Sequence, residues 1–320
     1  MTSPRAFFIL KVAILATGFL AALVGAADRA FASNVTCGQV IVANTTLDSD
    51  LLACPGDGLV IGADNVSLNL NGHTIEGTGQ TEFGVNDDGH SGLIVRNGTI
   101  RNFNAGVNLL EADGNVVRDL NLPANIVGVA VYDSNLNVVQ GNDSNSFFGI
   151  QLTESDGNQV LNNTHAGSQT GVGTYLLPDS DRNLVAGNSA TNDQYGVLVF
   201  GGDGNRLERN VVYGNNRGVA LIGATGSDDA VLERNTAWEN ANDGIFVAAG
   251  SLRALLERNV AYQNGDDGID VEDSSATLAR NRSFGNADLG IDAVAGVTDG
   301  GGNRAFGNGN PSQCLYVTCR

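Results

Sequence analysis

Two aspartates one repeat apart, Asp270 and Asp292, are the residues of this chain best placed by type and spacing to do chemistry. Each stands two residues after a glycine, in Gly268-Ile269-Asp270-Val271 and Gly290-Ile291-Asp292-Ala293, and Glu272 follows Asp270 on the same side of an alternating segment. If the segments lie side by side, the carboxylates come to roughly 5 Å from one another, the spacing of neighbouring strands. Like charges that close raise a pKa or recruit a cation. Two chemistries follow. One is acid/base catalysis by Asp270, Asp292 and Glu272, with the close separation that retaining glycosidases use. The other is an oxygen-ligand Ca2+ site built from Asp266, Asp267, Asp270 and Asp292. Asp243, Asp273 and Asp288 lie near the edge of this patch. The bland alternative is a solvated acidic face on a chain that is acidic everywhere.

A repeat must position these residues. Gly-Ile or Gly-Val pairs recur at Gly84, Gly106, Gly128, Gly149, Gly171, Gly196, Gly218, Gly244, Gly268 and Gly290, spaced by 21 to 26 residues. Such a period marks an architecture in which no unit buries its apolar face alone, so each stacks on its neighbours. After the glycine, alternate residues are apolar, as in Val219 and Leu221 or Ile269 and Val271. Period-two alternation means strand, with these side chains inward. A direct repeat of short strands, without hairpin turns, gives parallel sheets. Asparagines fill the corners in three rows, from Asn142 to Asn303, from Asn192 to Asn308 and from Asn115 to Asn205. Their amides suit left-handed turns and ladders between coils, a structural role.

The repeated Leu-Glu-Arg-Asn segments, the Gly-Ile-x-Val strands and the opening CysProGlyAspGly…AsnGlyHisThrIle stretch resemble the right-handed parallel β-helix repeat family, the pectate-lyase-like superfold that includes NosD-like proteins. The resemblance covers the chain from about Cys37 onward. It implies an all-β, single-stranded, right-handed parallel β-helix of roughly 13 coils, about 60 Å long. Its members include polysaccharide lyases, hydrolases and epimerases, so the resemblance implies a glycan partner and leaves catalysis open. The polygalacturonase-like Gly265-Asp266-Asp267-Gly268 loses weight because the neighbouring repeats carry Asn242-Asp243-Gly244 and Asp288-Leu289-Gly290 at the same place. The Asp-Pro-His-Asp motif of mannuronan epimerases is absent. Copper handling by analogy with NosD-like proteins finds no support, since Met1 is the one methionine and thioether ligands are lacking.

Composition narrows the partners. Residues 1–32 read as a signal peptide, with Arg5 and Lys11 before an apolar run and Ala30-Phe31-Ala32 at the cleavage site, leaving 33–320 as one exported domain without a membrane span. Removing Arg5, Lys11, Asp28 and Arg29 takes the net charge from −18 to about −20. That charge excludes nucleic acid and disfavours a polyanionic glycan unless a divalent cation bridges the two. Export makes disulfides the default, and Cys37–Cys54 and Cys314–Cys319 would each staple one end. The expected molecule is a secreted or periplasmic monomer that binds a cell-envelope polysaccharide. Catalysis at Asp270/Asp292 and a purely adhesive role are the alternatives.

Aromatics and histidines complete the reading. Tyr132, Tyr175, Phe200 and Phe246 are the candidate sugar-stacking residues, the first three four residues after a repeat glycine and Phe246 two after. Tyr213, Trp238, Tyr262, Phe284 and Phe306 recur through five coils, as an internal ring stack or a sugar platform. His73 reads as a corner residue, His90 beside Asp87 and Asp88 as a weak metal candidate, and His165 as a tolerated substitution where other repeats carry alanine or valine.

Overall fold

The computed structural model describes residues 35–223 and 227–320, and the expected signal peptide lies outside the described residues. The chain is all β and wound as a parallel solenoid. One sheet stacks twelve strands, from Gln39–Ile41 to Ile291–Ala293. Two further columns run beside it and merge at the long strands Ile94–Arg101 and Val116–Pro123, each of which pairs into both columns. Twelve coils form among the described residues, close to the thirteen expected. The final segment closes the end instead of adding a coil, through isolated bridges from Cys314 to Ile291 and from Cys319 to Asn303. Cys37–Cys54 and Cys314–Cys319 are bonded as expected.

The repeat glycines are required by close approach. A Cβ on Gly244 would sit 2.6 Å from the Gly268 carbonyl oxygen, and one on Gly268 would sit 2.7 Å from that of Gly290. No side chain fits between coils there. The register corrects one member of the series. Ile150 pairs with Thr174, and Thr174 with Val197, so Gly173 rather than Gly171 stands in the glycine row. Extra residues in the preceding turn, Gly167 to Gly171, displaced the motif by two.

Inside, valine, leucine and isoleucine fill a continuous core from Val35 to Ala293. Buried asparagines line its corners. Asn235 Nδ2 donates to the Leu207 carbonyl (2.8 Å) and to Asn259 Oδ1 (3.1 Å), while its Oδ1 accepts from Asn210, and this pattern repeats coil after coil. Another row begins at Asp193, not at Asn192. The Asp193 amide donates to Asn215 Oδ1 (2.9 Å), whereas Asn192 takes a left-handed turn conformation (φ 62°). A further ladder was not foreseen. Asp113, Asn135, Asp156, Asp181, Asp203 and Asp228 each accept the backbone N–H of the corresponding residue one coil on.

Candidate functional site

The twelve-stranded sheet presents outward rows of side chains, because every strand repeats the same alternation. The middle row reads Gln151, Tyr175, Leu198, Ala220, Phe246, Asp270 and Asp292. Tyr175 therefore occupies this row, where counting two residues from Gly171 would have put Gly173. Beside it runs a row through Phe148, Val172, Tyr195 and Arg217, continued by Asp243 and Asp267, the residues immediately before Gly244 and Gly268.

Facing outward does not mean standing in water. Val172, Leu198, Ala220 and Phe246 form an apolar cluster buried by its own neighbours, with Phe148, Tyr175, Tyr195 and Ile222 packed around it. The four sugar-stacking candidates divide accordingly. Tyr175 and Phe246 share this strip. Tyr132 belongs to a separate cluster around Ala105, Val127 and Ala130, and its hydroxyl accepts from Gln151 Nε2 (2.9 Å). Phe200, beside Ile222, is the most open of the four at 40 % exposure.

Toward the C-terminal end the strip turns charged. The Arg217 guanidinium lies 4.0 Å over the Phe246 ring, and its Nε is 3.0 Å from Asp243 Oδ2. One carboxylate oxygen from each of Asp243, Asp267 and Asp270 comes within 4.8 Å of the others. Asp266, Asp267 and Asp288 make a second, more exposed group of the same kind. The structure thus splits the expected metal set: Asp267 and Asp270 sit with Asp243, and Asp266 sits with Asp288. Asp292 pairs in register with Asp270, and Glu272 is exposed at the margin.

Desolvation dominates the electrostatics. Burial, reinforced by the facing carboxylates, pushes Asp270 up to about 7. Burial also pushes Asp267 up to about 7, against a hydrogen bond donated by the Leu289 amide (2.7 Å). Asp243 is raised by burial despite Arg217, and Asp292 is raised by burial with Asp288, Asp266 and Glu272 adding to it. Near neutral pH such a cluster holds a proton, and it offers hard oxygen donors to a cation.

Arg217 was missed from sequence, and Asp243, placed there at the edge of the patch, stands inside the cluster. A signal was present, since charged residues precede the glycine in three successive repeats, Arg217-Gly218, Asp243-Gly244 and Asp267-Gly268. The C-terminal aromatic ladder resolves the other way. Tyr213, Trp238, Tyr262, Phe284 and Phe306 stack with centroids 4.7 to 5.8 Å apart and planes within 10°. Their faces are spent on one another, so a sugar ring finds edges only.

The NosD family model, described as a periplasmic copper-binding protein, matches residues 42–189 and 144–309. A search of the curated proteins finds no match. Among solved structures, the periplasmic alginate epimerase AlgG is similar at 14 % identity and a TM-score of 0.56, over 88 % of this chain and 78 % of that one. The A-module of the Azotobacter vinelandii mannuronan C-5 epimerase AlgE6 is similar at 15 % identity and a TM-score of 0.46, over 87 % and 81 %. At such identities the likeness concerns the fold.

Copper(I) does not suit the donors of this chain. All four cysteines are in disulfides, the one methionine is Met1, and the histidines stand apart, His73 by Asp50, His90 by Asp87 and His165 by Asp193. Copper(I) selects thiolate and thioether, and the clustered ligands here are carboxylates. After dialysis against copper(I) under reducing conditions too mild to open the disulfides, less than one equivalent is expected to remain by elemental analysis. Stoichiometric retention would contradict this assignment.

Proposed function

The chain belongs to the NosD family, and from that premise we propose that it is an extracytoplasmic β-solenoid that binds an envelope polysaccharide along the outer face of its twelve-stranded sheet. The observation that carries the reading is the continuity of the apolar strip, Phe148, Tyr175, Tyr195 and Phe246, with Arg217 and the Asp243/Asp267/Asp270 cluster. Aromatic surface next to hydrogen-bonding charge suits a sugar chain, whose rings have apolar faces and hydroxyl edges. The family's periplasmic description and the two disulfides support an extracytoplasmic location. The acidic end favours a neutral or amine-bearing glycan, and a uronate chain binds there only through Ca2+.

A second reading, catalysis at the same cluster, is favoured by the position of Asp270. A carboxyl held at about 7 can keep a proton at neutral pH and deliver it to a glycosidic oxygen, with Asp292 and Glu272 as the neighbouring carboxylates. An oligosaccharide panel separates the readings. Neutral, amine-bearing and uronate oligomers are titrated calorimetrically with and without Ca2+, and the mixtures are then analysed for cleaved, unsaturated or epimerised product. Binding with unchanged ligand supports the first reading, and product supports the second. Neither heat nor product in any mixture would dismiss both.

A further inference from the structure

The middle of the solenoid holds an ionisable pair that its repeat does not call for. Along the inner face of the third column the side chains read Ser144, His165, Ala190, Val212, Ala237 and Ala261, so one imidazole replaces a small apolar group. Asp193 heads the row that continues as Asn215, Asn240, Asn264, Asn286 and Asn308. In that row each asparagine from Asn215 on donates its Nδ2 to the Oδ1 of the next. A carboxylate cannot make that donation.

The two residues have each other. His165 Nε2 lies 3.2 Å from Asp193 Oδ1, with side-chain exposures of 5 % and 0 %. The remaining polar atoms, His165 Nδ1 and Asp193 Oδ2, are buried without a protein partner. Glycines make the room. A Cβ on Gly149 would stand 2.7 Å from His165 Nδ1, and one on Gly167 would overlap the Asp193 carboxylate. A cavity of about 10 Å3, enough for one water molecule, adjoins the imidazole. Ser144 and Ala190 face it from the third column, Ile150 and Thr174 from the twelve-stranded sheet, and Asn163 and Asn188 from the corner. His165 is the only titratable residue in that lining, and among the described residues Asp193 is its only acidic contact. Such a pair costs stability relative to the alanine and asparagine of the other repeats.

We propose that His165 and Asp193 form a buried proton-binding pair that tightens the centre of the solenoid in mildly acidic surroundings and loosens it toward alkaline pH. Taking one proton from solvent adds one positive charge to the pair. A protonated carboxyl also has the donor that the ladder asparagines have and a carboxylate lacks. Burial raises the Asp193 carboxyl, opposed by His165. A group raised on folding contributes stability that is fully present below its unfolded value and is lost as pH rises through its folded value.

The test compares the full chain with Asp193→Asn, using thermal midpoints at about pH 4, the ordinary value of a carboxyl, and at about pH 8. Asp267, Asp270 and Asp87 also titrate with raised values, so the difference between variant and parent is the quantity read. Asp193→Asn extends the asparagine ladder by one member. It is expected to raise the midpoint by roughly 2–4 °C at the higher pH and to change it little at the lower. The double variant His165→Ala/Asp193→Asn restores the repeat's own residues and should show the same flattening. Hydrogen exchange at the Gly167 and Thr191 amides, corrected for intrinsic rate, should slow in acid in the parent only. Equal effects of Asp193→Asn at both pH values, or a larger gain in acid, would overturn the proposal.

Discussion

Replacing Asn235 by leucine should lower the stability of the solenoid by about 3–5 kcal/mol, although the two side chains are close in size. Asn235 Oδ1 accepts the Asn210 backbone N–H at 3.0 Å and its Nδ2 at 2.9 Å, while Asn235 Nδ2 donates to Leu207 O at 2.8 Å and Asn259 Oδ1 at 3.1 Å. Leucine abolishes all four bonds at once. Two buried donors of Asn210 and one buried carbonyl are left without partners, each costing about 1–3 kcal/mol in part offset by the gain of apolar contact. The wall cannot relax to let water in, because coils above and below fix its spacing. Chemical denaturation of the chain measures the effect. A loss below about 1 kcal/mol would mean that the ladder is incidental to the fold.

The double variant Asp267→Asn/Asp270→Asn should turn a pH-sensitive protein into a flatter one. Both carboxyls stand at about 7 in the fold, well above the ordinary value near 4. Raised groups stabilise the fold fully below their unfolded value, and that contribution is lost as pH rises through about 7. The parent should therefore weaken between about pH 4 and pH 7 more than the variant does, and the variant should be the more stable at the alkaline end. Millimolar Ca2+ should recover part of the parent's loss at alkaline pH and leave the variant unmoved, since amides supply neither the charge nor the bidentate oxygens. Thermal melts across pH, with and without Ca2+, read both effects. Identical slopes in parent and variant would remove the electrostatic account of the cluster.

Much of the fold was legible in the sequence because one physical demand recurs in every coil. Glycine is needed where a strand passes a neighbour's carbonyl, and buried asparagine where a corner must satisfy the coil beside it. Legibility failed where the turn from Gly167 to Gly171 lengthens. Gly171 was taken for Gly173 and Asn192 for Asp193, slips of two residues and one that sequence spacing cannot distinguish without the register. The second slip concealed the His165–Asp193 pair.

The candidate site was half legible. The outward parity of Asp270 and Asp292 follows from strand alternation, so their place on one row could be read directly. Arg217 and Asp243 stand immediately before the glycine, three residues from the outward position, so strict alternation gives them the opposite parity and does not foresee their place beside Phe246 and Asp270. Burial was the harder quantity. Leu198, Ala220 and Phe246 face outward yet are shielded by the side chains of adjoining strands, a packing outcome that depends on all the rows together.

The most direct test is the affinity of the parent and of Phe246→Ala and Tyr175→Ala for the best-bound oligosaccharide of the panel, measured by calorimetry at one ionic strength. Both rings belong to the strip on the outer face of the twelve-stranded sheet, and Trp238, in the third-column ladder, provides the control surface. The account predicts that each strip variant weakens binding about tenfold or more, as loss of an aromatic anchor does, while Trp238→Ala lowers stability and leaves the affinity of the folded protein unchanged. Unaltered affinity in both strip variants, or a loss confined to Trp238→Ala, would contradict the assignment of that face.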